Sequence, residues 1–208
     1  CKIVRGTKHS YLGMILDFSV NGKLKIRMDD YVQNMMDEFP IKFNEKTKQA
    51  TPAANDLLSA GTGNLLNKER RETFHSFVAK GLFLSKLARL EVHPTITVLS
   101  SKVREPKESD WKDIVRFMRY LHSTKHWHKT LSADDLRVIK WWIDASFAVH
   151  PEFKSHTGSV ISMGSGAEQV MSRKQKLVSR SSTEAELIDV DDVITMVLWT
   201  KLFLESQG

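Results

Sequence analysis

Two carboxylates stand where packing alone does not explain them. Asp144 closes the run "RVIKWWID" of valine, isoleucine and tryptophan, and a charge in such company is rare unless it is paired or bound to a metal. Glu186 lies in "SRSSTEAELI" (residues 179–188), where hydroxyls and acids open a helix directly after a basic segment. Hard divalent cations such as Mg2+ take carboxylate oxygens. Two such ions about 3.5–4 Å apart activate a water and stabilise the leaving oxygen in phosphodiester hydrolysis. Helix capping is the other account of the same residues. Ser181 with Glu184, or Thr183 with Glu186, has the three-residue offset of a capping box, and only one of the two can form. A cap through Glu184 releases Glu186 for another role in a first turn that favours negative charge.

Basic residues surround this stretch. Arg173, Lys174, Lys176 and Arg180 crowd the approach to the helix, the kind of cationic surface that holds a phosphate backbone beside a cleaving site. Lys112, Arg116 and Arg119 form a second stripe at helical spacing, and residues 102–129 hold eight Lys or Arg against four Asp or Glu. A solvated helix face and a phosphate-contacting surface both fit that stripe. Asp189, Asp191 and Asp192 read as a polar helix face. His122, His126 and His128 read as surface residues, with no cysteine or acid at a metal-binding spacing. The sequence contains no phosphate loop and no nucleophile elbow.

These residues must be positioned by a mixed set of elements. "YLGMILDFSVNGKLKIRM" predicts a strand from Tyr11, a turn at Asn21-Gly22 and a second strand. Val32, Met35, Met36 and Phe39 recur at helical spacing, with Asp29 or Asp30 as cap and Pro40 as stop. A polar connector over 44–64 leads to a helix from Asn67 whose stripe is Phe74, Phe77, Val78, Gly81 and Leu82, and Gly81 implies close helix packing. Pro94 opens another helix. A further helix, capped by Ser109, turns Trp111, Ile114, Phe117, Met118 and Leu121 to one side. After "LSADDLR" the period changes from 3.6 to 2. "RVIKWWIDASF", apolar on both faces, predicts a central strand; "HTGSVISMG" and "GAEQVMSRKQKLVS" predict two more, and a helix from Ser181 or Ser182 to about Glu205 follows.

Composition sets the outer limits. The 208 residues carry 41% hydrophobic side chains and a formal net charge of +6, which suits a packed core and permits an anionic partner. The single cysteine, Cys1, excludes an internal disulfide and fits a reducing compartment. The reading is of an intracellular protein, in a cytoplasmic particle or the nucleus, with no secretion signal and no membrane span. The strand at one end and the helix at the other read as a piece of a longer polypeptide.

The motifs together resemble the C-terminal part of the Pol polyprotein of copia-type LTR retrotransposons. "YLGM" with its glycine-turned hairpin resembles the primer-grip end of a reverse transcriptase palm. "FVAKGLFLSKLAR" and the Pro94 helix resemble the thumb and connection. "WIDASF", "SHTGSVISMG", "SRKQKLVSRSSTEAEL" and "LWTKLFLESQG" resemble the RNase H domain. The resemblance implies an α+β chain with three parts: a palm edge and first thumb helix over 1–50, a helical thumb and connection over 51–133, and the N-terminal half of an RNase H-like domain over 134–208. That last part would be a three-stranded antiparallel meander plus a helix. It implies that Tyr11, Leu12, Gly13 and Met14 are the primer grip. Asp144 and Glu186 are then the first two of about four acids that hold two Mg2+ ions, with two more expected beyond position 208 and the polymerase aspartates expected before position 1. Ser146 stands where the family often has another acid. The implied partners are an RNA–DNA hybrid or primer–template duplex and the remaining Pol segments. A catalytically inactive remnant that binds nucleic acid or another Pol segment is the alternative.

Overall fold

Leu12 and Gly13 both have positive φ, 49° and 77°. That pair forms a two-residue turn between strand β1 (Lys8–Tyr11) and strand β2 (Met14–Asp17), registered Tyr11 to Met14. The continuous strand expected from Tyr11 is therefore cut at its second residue, because a positive-φ pair matches the twist of a tight hairpin. The computed structural model describes residues 5–44, 46, 48–135 and 137–207; Cys1 lies outside the described residues. They divide into two units, meeting between Ser132 and Ala133.

In the first unit, strand β3 (Leu24–Arg27) pairs antiparallel with β2 across a turn where Gly22 has φ 70°. Strand β4 (Lys129–Ala133) comes back to pair with β3, Ile26 opposite Lys129 and Leu24 opposite Leu131. Nothing in the alternation of "HWHKTL" announced that strand. Helices α1 (Asp29–Glu38), α2 (Lys68–Leu87), α3 (His93–Ser101) and α4 (Glu108–Ser123) build the core, with a 3-10 turn over Leu90–Val92. Phe39, Phe74, Leu84, Ile96, Phe117 and Leu121 are fully buried there. Gly81 carries the contact expected of it: a Cβ at that position would stand 2.7 Å from the Ile96 side chain and 3.1 Å from the ring of Phe117.

Two expected caps differ. Neither Asp29 nor Asp30 caps α1; Met28 holds the cap position without a side-chain bond, and Asp29, already inside the helix, accepts from Arg27 Nε at 3.0 Å. Ser109 does not cap α4. Asp110 Oδ2 accepts the Lys107 N–H at 2.8 Å, while Ser109 Oγ accepts from the Thr62 N–H at 2.8 Å. A charged acceptor at the third helical position binds the free amide more strongly than a hydroxyl. Asn67 does cap α2, accepting from the Arg70 N–H at 2.9 Å.

In the second unit, strands β5 (Lys140–Ser146), β6 (His156–Ser162) and β8 (Gln169–Lys174) form an antiparallel sheet in that order, with the two-residue strand β7 (Gly164–Ser165) between the last two in sequence. Helix α5 (Ser182–Gln207) packs on β5 and β6. The fold is thus mixed, with antiparallel sheets and five α-helices among the described residues. β5, expected to be central, is an edge of this sheet. Its alternate residues Trp142, Asp144 and Ser146 are exposed, because α5 covers only the other face. Among the described residues no helix is long and apolar enough to cross a membrane.

Candidate functional site

Strand alternation decides where Asp144 sits. Thr157, Ser159 and Ile161 of β6 are buried, and their register partners on β5 are Ala145, Ile143 and Trp141. α5 lies on that face: the Thr157 hydroxyl donates to Asp192 Oδ2 at 3.2 Å, and Gln175 Nε2 donates to the Ala185 carbonyl at 2.9 Å. Asp144 pairs with Gly158 and projects from the opposite, open face. It is exposed and makes no hydrogen bond or ion pair among the described residues.

The cap question has a definite answer. The Glu184 N–H donates to Ser181 Oγ at 3.1 Å, and Glu184 Oε2 accepts the Arg180 N–H at 2.6 Å. The first box forms, shifted by one residue on its return bond, and the Thr183–Glu186 box does not. Glu186 is left exposed and unpartnered. Helical rotation of about 100° per residue puts it on the flank of α5 away from Asp192. Asp192 faces β8 through Arg173, whose Nε lies 3.2 Å from its carboxylate. Glu186 therefore sits toward the β5 edge. Asp144 leaves β5 on the face that α5 does not cover, so the two carboxylates stand on opposite sides of the sheet, and no group of three or more His, Cys, Asp or Glu among the described residues is arranged to hold a metal.

Asp189 overturns its reading as part of a polar surface. It is fully buried against β6, and neither carboxylate oxygen has a hydrogen-bond partner of good geometry. Burial pushes its pKa up to about 6; the nearby Thr157 hydroxyl and Gly158 backbone pull the other way, and Glu186 and Asp192 add to the rise. The helical period predicts this position, since 185, 189 and 193 share one face and all three are buried.

The basic residues divide into tied and free. Arg173 is ion-paired with Asp192, and Lys174 with Glu152 at 3.3 Å. Arg116 is half-buried and donates to Thr51 Oγ1 at 2.8 Å. Lys112, Arg119, Lys176 and Arg180 are exposed and make no ion pair among the described residues. Lys176 borders a groove shared with Glu184, Asp191 and Asp192, whose charge opposes a phosphate. In the first unit, Tyr11 and Leu12 are 60% and 58% exposed at the hairpin tip, Gly13 completes the turn, and Met14 is buried in the core.

One polar chain escaped sequence reasoning. His150 Nε2 lies 3.0 Å from His156 Nδ1, and His156 Nε2 lies 2.7 Å from Ser172 Oγ. Burial, with a smaller effect from His150, pushes His156 down to about 4, and burial also lowers His150. Both rings are therefore neutral near pH 7 and pin the 147–155 loop to the sheet's open face. His150 and His156 are six residues apart on either side of a turn, a spacing with no periodic signature.

The chain is related to retrotransposon Pol polyproteins. It is 26% identical over 210 residues to the retrovirus-related Pol polyprotein from transposon TNT 1-94 of Nicotiana tabacum, covering 98% of this chain and 16% of that protein. It is 24% identical over 191 residues to the putative transposon Ty5-1 protein of Saccharomyces cerevisiae, covering 91% of this chain and 61% of that protein. It is also 26% identical over 125 residues to the secreted RxLR effector protein 161 of Plasmopara viticola, covering 60% of this chain and 88% of that protein. The chain thus spans less than two thirds of the length of the first two relatives. No family model matches it, and no solved structure matches it significantly.

Proposed function

We propose that the chain is a segment of a copia-type reverse transcriptase and RNase H that binds an RNA–DNA hybrid or primer–template duplex through its phosphates. The relationship to Pol polyproteins along nearly the whole chain carries this reading. An intracellular site of action is part of the same proposal. Lys112 and Arg119 in the first unit and Arg180 in the second, exposed and without an ion pair among the described residues, support it, whereas Lys176 stands beside the acidic groove. Tyr11 and Leu12, exposed at a tight turn, have the form expected of a primer grip.

Asp144 and Glu186 are the carboxylates this segment would bring to an RNase H-like nuclease. As hard oxygen donors they suit Mg2+, yet two of them, on opposite sides of the sheet, are fewer than a two-metal site needs. That observation also favours a second reading, a module that binds nucleic acid or another Pol segment without catalysis.

Binding of a labelled RNA–DNA hybrid, followed by fluorescence anisotropy across a salt series, tests the proposal. Phosphate contacts predict affinity falling linearly on logarithmic axes as salt rises. No binding at low salt, or binding indifferent to salt, overturns it. Magnesium-dependent cleavage, assayed on the same chain, separates the two readings.

A further inference from the structure

Trp127 is 56% exposed yet held from beneath, and we infer that its open face stacks an unpaired base of a single nucleic-acid strand. The inference rests on the nucleic-acid reading and adds to it a subsite for bases, where that reading needs only phosphates. The Trp127 N–H donates to the Thr124 carbonyl at 2.9 Å, in the turn that ends α4. Its ring meets Tyr120 in a T-shaped contact, with centroids 6.2 Å apart and planes at 84°. The Arg89 guanidinium lies over the ring, 5.9 Å from its centroid and 5.7 Å from that of Tyr120. Arg89 is itself buried and fixed. It donates to the Thr124 carbonyl at 3.1 Å, to the Thr124 hydroxyl at 2.6 Å and to Glu91 at 2.6 Å. A planar guanidinium with these donors engaged is a rigid backing plate.

The other tryptophan of the first unit shows what a structural indole looks like in this fold. Trp111 stacks on Phe39, with centroids 6.0 Å apart, and lies under the Arg70 guanidinium at 4.6 Å. Trp127 has its backing on one side and solvent on the other. Its surroundings are cationic. Residues 114–133 contain Arg116, Arg119, Lys125, Lys129 and three histidines, and no Asp or Glu. His126 and His128, on either side of the indole in sequence, are exposed, and so is Arg119. Glu91, the carboxylate bonded into this cluster, is spent on Arg89. An acidic peptide answers the charge and leaves the bare ring unexplained. A nucleic-acid strand answers both, with its bases stacking on an aromatic side chain while its phosphates lie among cations. Within a duplex each base is already stacked on both faces, so the base that reaches Trp127 is an unpaired one. Such stacking tolerates any base, since all four have a π face.

Fluorescence anisotropy of the full chain with a labelled single-stranded oligonucleotide, and with an abasic strand of equal phosphate charge, tests this. The base-bearing strand is expected to bind about tenfold or more tighter. Trp127→Leu keeps apolar cover over Arg89 and lacks a π face, and is expected to abolish that preference; Trp127→Phe is expected to keep a good part of it. Circular dichroism checks that each variant is folded. Should they fail to fold, photo-crosslinking of the wild-type chain to an iodouracil-substituted strand carries the test, with Trp127 expected as the cross-linked residue. Equal wild-type affinity for the two strands, a preference that survives Trp127→Leu, or a cross-link that does not involve Trp127 overturns the inference. A wild-type chain that binds the RNA–DNA hybrid in a salt-dependent way and shows no base preference overturns this inference alone. One that binds neither strand nor hybrid overturns the wider reading with it.

Discussion

The hydroxyl of Thr157 is given to Asp192 and not to Asp189, the carboxylate buried beside it. Asp192 already has Arg173; Asp189 has no cation. Its pKa of about 6 lies above the ordinary aspartate value, so the unfolded chain ionises first and stability falls as pH rises from about 4 through 6. Replacing Asp189 with Ala is expected to stabilise the second unit by roughly 2–3 kcal/mol at pH 7.5 and to have little effect at pH 4. Native-state hydrogen exchange of the β6 amides measures it.

His156 works in the opposite sense within the same window. Its folded pKa, near 4, is below that of a free imidazole, so its stability contribution is present above about pH 6.5 and is lost as pH falls toward 4. The two groups offset one another in the wild-type chain. Asp189→Ala is expected to leave stability rising with pH between 4 and 6.5, and His156→Gln to leave it falling. The same exchange measurement, repeated across pH, separates the two slopes.

Glu184 and Glu186 should part company under substitution. Glu184→Ala removes the acceptor of the Arg180 amide and is expected to cost about 1 kcal/mol. Glu186→Gln is expected to cost under about 0.5 kcal/mol, as a surface change does. Urea denaturation followed by far-ultraviolet circular dichroism reads both.

Gly81→Ala forces a methyl group onto Ile96 across α2 and α3. Overpacking of this kind costs roughly 1–3 kcal/mol. Ile96→Ala removes both Ile96 atoms that stand 2.7 Å from the new methyl, so the double variant is expected to be more stable than the sum of the two single changes allows. A double-mutant cycle in urea checks it.

Hybrid binding should distinguish free cations from tied ones. Lys112→Ala and Arg119→Ala are each expected to lower the salt slope by about 1. Arg173→Ala is expected to leave the slope unchanged and to destabilise the second unit, since Arg173 is spent on Asp192. Anisotropy titrations at several salt concentrations give the slopes.

Periodicity made most of the helices legible, because Phe74, Phe77, Ile114, Phe117 and Leu121 recur at a spacing that only a helix can bury together. The Ser181–Glu184 cap was legible as one of two boxes. β4 was not, since "KTLSA" has no alternation, and its position is fixed by pairing with a strand distant in sequence. Asp189 shows the other limit. Residue type argued for a surface and the helical period argued for burial, and the period was right. The pairing of Arg173 with Asp192 depends on β8 and α5 lying face to face, which composition cannot supply.

The pairing of β3 with β4 joins Lys25 to Thr130, so more than a hundred residues must be threaded before β3 gains its second neighbour. The hairpin of β1 and β2, and the meander of β5, β6 and β8, close over short spans and can zip early. During synthesis the four helices emerge while β3 still lacks its last neighbour. The order of assembly is therefore helices first and sheet closure last, and a ribosome-bound chain ending at Ser123 would hold that strand open to any passing β-segment.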